Sequence, residues 1–172
     1  MGPLHAEVEI DAPRERIFEL IEDLAVRPSF TDHFLTRFNL TRIDSRGVGA
    51  GARFRLATPL RKVWMDTTIV EVEENTRVVE QGAGGRANRI PIHTVWELRG
   101  GTGGLTALSV THWTAPEKAI DRHLETLSGS SHWVLRGWRE ALRRLRDAVE
   151  SDLPAAERVA VAGGNRYATG IP

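Results

Sequence analysis

The stretch Ala6-Glu7-Val8-Glu9-Ile10-Asp11-Ala12-Pro13-Arg14-Glu15-Arg16-Ile17-Phe18 changes its period half-way. Ala6, Val8 and Ile10 alternate with Glu7 and Glu9, the period of two of a half-buried strand. Asp11 then reads as a helix N-cap, and Pro13 suits a first helical turn. Ile17, Phe18, Leu20, Ile21 and Leu24 continue at helical spacing, so the first helix is expected over about residues 12–24. Pro28 interrupts, and Phe30 with Phe34 suggests a second short helical piece.

Beyond Phe38 the pattern turns to strands as far as Thr114. Leu40–Asp44, Ala52–Ala57, Val63–Val72, Arg77–Gln81, Ile92–Leu98 and Leu105–Trp113 are β-rich or alternating. Turn residues separate them: Ser45-Arg46-Gly47, Glu74-Asn75-Thr76, the glycines around Gly82–Gly85 and those around Gly100–Gly104. No helical segment lies between these strands, which excludes a doubly wound α/β fold and predicts an antiparallel meander. The chain then returns to helix. Ile120, Leu124 and Leu127 form one apolar stripe, and Gly129–Ser131 reads as a break. Val134, Trp138, Ala141, Leu142, Leu145, Ala148 and Val149 form a longer stripe whose natural partner is the sheet. Arg136, Arg139, Arg143, Arg144 and Arg146 lie largely off it, a solvated face.

Residues 1–151 are expected to form one domain, and residues 152–172, rich in Ala, Gly and Pro, an extended tail. At 172 residues, folding buries about 70% of the unfolded surface, enough for a core without metals or disulfides. Lys plus Arg and Asp plus Glu are equal at 23, which argues against nucleic-acid binding. With no cysteine, disulfides, thiolate metal sites and cysteine nucleophiles are excluded. The six histidines show no paired metal spacing, so neither a metal nor another cofactor is expected. Met1–Glu7 lacks a leader pattern and no apolar run is long enough to span a bilayer, so the expected setting is cytoplasmic. Gly47-x-Gly49-x-Gly51 opens no helix, which makes it a strand entry rather than a dinucleotide turn. Ser128-Gly129-Ser130-Ser131 lacks a nucleophile elbow.

The order strand, helical pair, six strands, long helix resembles the helix-grip fold of the polyketide cyclase/dehydrase and lipid-transport superfamily (START-like, SRPBCC). The opening Val8–Phe18 stretch carries the likeness, as does Gly47-Val48-Gly49-Ala50-Gly51-Ala52-Arg53-Phe54. It covers about residues 5–150. The resemblance implies an α+β fold in which a curved antiparallel sheet of about seven strands wraps a C-terminal helix. Members of the superfamily include carriers, sensors and cyclases, so the fold does not choose among them. The Val110-Thr111-His112-Trp113-Thr114 segment is similar to the strand where some aromatising cyclases carry a pocket histidine. Such cyclases tend to carry arginine after the tryptophan of the fourth strand, where Met65-Asp66-Thr67-Thr68 stands here.

A sheet curved round a helix leaves a gap that side chains, water or a ligand must fill, since an empty one of ~300 Å³ would cost about 7 kcal/mol. Strand parity sorts what faces it. In the fourth strand Trp64, Asp66, Thr68, Val70 and Val72 form the better inner set, because Glu71 and Glu73 fall in the other. Thr94 and Trp96 share a face with Ile92 and Leu98. His112 shares one with Leu108 and Val110, unless a bulge exchanges it with Trp113. These positions predict a hollow walled by Trp64, Trp96 and Trp138, with Asp66, Thr68, Thr94 and His112 as its polar groups and Phe30 and Phe34 at its mouth. The competing reading for each tryptophan is ordinary core packing. An inward Asp66 needs a partner such as Arg53 or Arg55, or a wet cavity.

The first functional expectation is binding of an apolar or aromatic small molecule, lipid- or polyketide-like, between sheet and helix. The second is a cyclase or dehydratase in which Asp66 and His112 shuttle a proton α to a carbonyl. The third is a protein-interaction module using the outer sheet face near Trp113. A homodimer is compatible with all three.

Overall fold

A computed structural model describes residues 1–58, 62–117 and 130–151. Strand β1 (Leu4–Ile10) is followed by helices α1 (Arg14–Glu22) and α2 (Pro28–Thr31). Six strands come next: β2 (Leu35–Leu40), β3 (Gly51–Ala57), β4 (Lys62–Glu73), β5 (Arg77–Gly84), β6 (Ile90–Gly100) and β7 (Thr106–Thr114). Helix α3 (Ser130–Glu150) completes the described chain. All neighbouring strands are antiparallel, in the order β1-β7-β6-β5-β4-β3-β2. This is the helix-grip α+β architecture that the element order predicts. The stripe holding Ile120, Leu124 and Leu127 and the segment 152–172 lie outside the described residues.

Helix α3 buries Val134, Gly137, Trp138, Ala141, Leu142, Leu145 and Val149, each large side chain contributing about 1.5–3 kcal/mol relative to exposure. Ala148 is half-buried at the margin of this stripe. On the sheet side the core is built from inward residues such as Ile92, Trp96, Leu98, Leu108 and Val110. Ile17, Phe18 and Ile21 of α1 close one end. Glu140 receives hydrogen bonds from Arg143 and Arg144 on the solvent face of α3, and Arg143 also reaches Asp147 at 2.7 Å. The arginines there are ordinary surface ion pairs.

Two local expectations need correcting. Asp11 is not the N-cap of α1. Its backbone N–H donates to Glu150 Oε1 at 3.0 Å, and Pro13 precedes the first helical residue without a side-chain cap. The second strand is Leu35–Leu40 rather than Leu40–Asp44, so the chain enters the sheet soon after Phe34.

A larger correction concerns the facing of β4. Met65, Thr67 and Ile69 point to the core, whereas Trp64, Asp66, Thr68 and Val70 point away from it. Trp64 is 36% exposed and lies under the Arg53 guanidinium, 5.3 Å from the ring centre. The pairing with β5 shifts register between Ile69 and Glu71. One extra residue there reverses the phase of the strand, so Val72 packs on the core even though Val70 does not. A single parity across β4 merges two half-strands of opposite phase.

Candidate functional site

Strands β6 and β7 face as their alternation predicts. Thr94, Trp96 and His112 are buried on the inner surface, and Trp138 meets them from α3. The ring centres of Trp96 and Trp138 are 5.4 Å apart and nearly perpendicular, and those of His112 and Trp138 are 5.6 Å apart. Phe30 packs edge-on to Trp96 and Phe34 edge-on to Trp138. Both phenylalanines are buried rather than at an exposed mouth, Phe30 inside the aromatic cluster and away from the cavity lining, Phe34 in the cavity wall. These rings fill the space where a hollow was expected. The cavity left beside these rings, between sheet and α3, is about 20 Å³, room for about one water molecule.

Polar groups cross the inner surface in one register row. Glu80 on β5 pairs with Thr94 on β6, which pairs with His112 on β7. Thr94 Oγ1 lies 2.9 Å from His112 Nδ1. Glu80 Oε1 accepts from Trp96 Nε1 at 2.8 Å and lies 2.9 Å from Arg27 Nη1, while Oε2 accepts from Thr67 Oγ1 at 3.2 Å. Arg27 also donates from Nη2 to the Ile21 carbonyl and sits over the Trp96 ring, 4.5 Å from its centre. Arg27, Thr67, Glu80, Thr94, His112 and Trp138 all border the cavity.

Burial pushes the His112 imidazolium down to about 4, with the N-terminal ammonium and His93 adding to the effect. The ring is therefore neutral at physiological pH and serves as a hydrogen-bonding group rather than a charge. His112 Nε2, Trp138 Nε1 and Arg27 Nε are buried without a protein partner.

Asp66 is on the other side of the sheet from this cluster. It accepts from Asn88 Nδ2 at 2.7 Å, and Arg53 Nε lies 3.6 Å away. The expected Asp66–His112 acid–base pair is not assembled, because the two side chains leave opposite faces. Trp64 and Thr68 are likewise removed from the cavity wall. The carboxylate that does face inward is Glu80, which alternation with Val78 along β5 would have indicated. Arg27, flanked by Ala25, Val26 and Pro28, gave a fainter sign. Trp113 is half-buried on the outer face and stacks on His93 with centres 4.8 Å apart.

Outside the cavity, beside α3, runs an open groove of about 750 Å³ bordered by His33, Ala57, Trp133, Arg136 and Gly137. Phe34 lines both groove and cavity. Its ring rests on the backbone of α3 at Gly137, where a Cβ would come within 2.6 Å of it. His33 Nε2, next in sequence, donates to the Gly137 carbonyl at 3.0 Å. Among the described residues no cluster of metal-ligating side chains occurs, and no helix is long and apolar enough to cross a membrane.

Residues 11–150 match the family model described as activator of Hsp90 ATPase homolog 1-like protein. The chain belongs to this family. Among solved structures, the AHSA1-like fold seen here is similar to TTHA0849 from Thermus thermophilus. The identity is 17% and the TM-score 0.69, over 89% of this chain and 100% of that one. It is similar also to the KanY protein, with 20% identity and a TM-score of 0.69 over 87% and 99%. DynU16, from the dynemicin biosynthetic locus, shares 17% identity at a TM-score of 0.61, over 91% of this chain and 50% of that one. These likenesses establish the fold, and together with the family match they fit the SRPBCC and polyketide cyclase superfamily. No curated protein matches the sequence.

Proposed function

We propose that this AHSA1-like chain binds a small, mainly apolar molecule with an aromatic part between the inner face of the sheet and α3. The molecule enters from the groove beside α3. Phe34 carries the reading, since one aromatic ring is the wall shared by a groove of small-molecule size and an aromatic inner cavity. At about 20 Å³ the cavity alone admits no such ligand. A swing of Phe34 away from Trp138 joins the two spaces, and the ligand's ring takes its place against the indole. Support comes also from the fold, which the chain shares with DynU16 of a biosynthetic locus.

Native mass spectrometry of the chain purified from its own host tests the proposal. A small-molecule adduct that disappears on denaturation is expected. A uniformly unliganded chain that also gives no heat with naphthalene-class aromatics contradicts it.

A further inference from the structure

The inner cavity has an unusual hydrogen-bond balance. Trp138 Nε1 can only donate, and it is buried to 4% exposure with no protein acceptor. His112 is buried to the same degree, and its Nε2 is equally without a partner. Its other nitrogen faces Thr94 Oγ1. The Thr94 hydroxyl has one proton and no other acceptor among the described contacts, so it donates to Nδ1. The imidazole proton then sits on Nε2, making it a second donor. Among the described residues Glu80 is the one carboxylate on this wall, and both of its oxygens are already engaged. Arg27 Nε is a third N–H without a partner on a residue of the same wall. These N–H groups reach no protein acceptor, and buried donors left unmet are costly.

We infer that the cavity is a seat for an acceptor oxygen, gripped by Trp138 Nε1–H and His112 Nε2–H, and that the ligand is an uncharged aromatic carbonyl compound. This rests on the binding reading above and adds the chemistry of the bound group. A water fits the cavity of the free protein and meets the same donors. The ligand's carbonyl oxygen replaces that water while its ring takes the place of Phe34. A carboxylate is disfavoured. The charge of Arg27 is already balanced by Glu80 2.9 Å away, so an incoming anion meets a neutral wall and loses its hydration.

Calorimetric titration of the full chain with acetylnaphthalene, ethylnaphthalene and naphthoate separates the possibilities. The ketone is expected to bind about tenfold more tightly than the hydrocarbon, equivalent to about 1.4 kcal/mol, and naphthoate more weakly than the ketone. Trp138→Phe keeps an aromatic ring and removes the donor. It should bring the ketone-to-hydrocarbon ratio close to one, whatever the change in affinity common to both ligands, and a ratio that stays near ten overturns the Trp138 grip. Equal affinity of the wild-type chain for ketone and hydrocarbon overturns the oxygen seat and leaves apolar binding standing. No binding of any of the three overturns both, and naphthoate binding tightest overturns the uncharged class. Nitrogen NMR of His112 in the wild-type chain needs no variant: a proton on Nε2 supports the proposal, and one on Nδ1 overturns it.

Discussion

Arg27 Nη1 lies 2.9 Å from Glu80 Oε1, with the two side chains only 2% and 5% exposed. The pair ties the segment between α1 and α2 to the middle of the sheet, directly over Trp96. Burying two charges is costly unless both are fully hydrogen-bonded, and removing one partner strands the other.

Either single substitution should therefore be severe. Arg27→Met or Glu80→Leu alone is expected to lower stability by about 3–5 kcal/mol. The double variant should lose much less than the sum, because neither charge is then left alone. Urea unfolding of the four proteins measures this coupling, and additive losses would refute it.

Stability should also depend on pH through His112. Its folded-state value of about 4 lies below the ordinary 6.5, so the unfolded chain binds the proton more readily. The contribution is complete above pH 6.5 and falls as pH drops towards 4. By linkage this is about 2 kcal/mol lost between pH 7 and pH 5. Burial lowers His33 as well, with the same sign. His112→Gln should flatten most of the slope in that window and leave the part due to His33. An unchanged slope in urea midpoints at the two pH values would show that the imidazole is not desolvated.

Gly137 is where α3 comes closest to Phe34. Alanine gains about 1 kcal/mol in helix propensity at an exposed position. At Gly137 its methyl would come within 2.6 Å of the ring, and such overpacking costs about 1–3 kcal/mol. Gly137→Ala is expected to shift the urea midpoint downward and to move the ring. A rise in midpoint would mean that Phe34 yields freely.

Much of this architecture is legible in the sequence because its cues are local. The change of period at Ile10, the glycine-rich turns and the Val134–Val149 stripe each report on their own neighbourhood. The facing of Trp96, Thr94, His112 and Trp138 follows from undisturbed alternation or helical spacing. The β4 facing does not, because the bulge at Val70 is a property of pairing with β5. Glu71 and Glu73 report the phase beyond the bulge, while Met65, Thr67 and Ile69 report the phase before it. Arg27 resembles a surface charge until its partnership with Glu80 is seen, and Glu80, although in phase with Val78, could not be buried without it. The near-closure of the cavity depends on ring packing among Phe30, Phe34, Trp96 and Trp138, which residue spacing does not encode.

Asp66 offers a complementary check, since its side chain is on the outer face of the sheet, beside Asn88 and Arg53. Asp66→Asn should change stability by less than about 1 kcal/mol and leave aromatic binding unaltered. Loss of binding in calorimetry would place Asp66 in the site after all.

Five tryptophans distributed over both sides of the sheet provide the most direct test of where the ligand sits. Ethylnaphthalene is titrated into labelled protein while the indole N–H resonances are followed. Binding between sheet and α3 predicts that the Trp96 and Trp138 signals move together while those of Trp64 and Trp113 stay in place. Movement confined to Trp64 and Trp113, with Trp96 and Trp138 unchanged at saturation, would contradict the account.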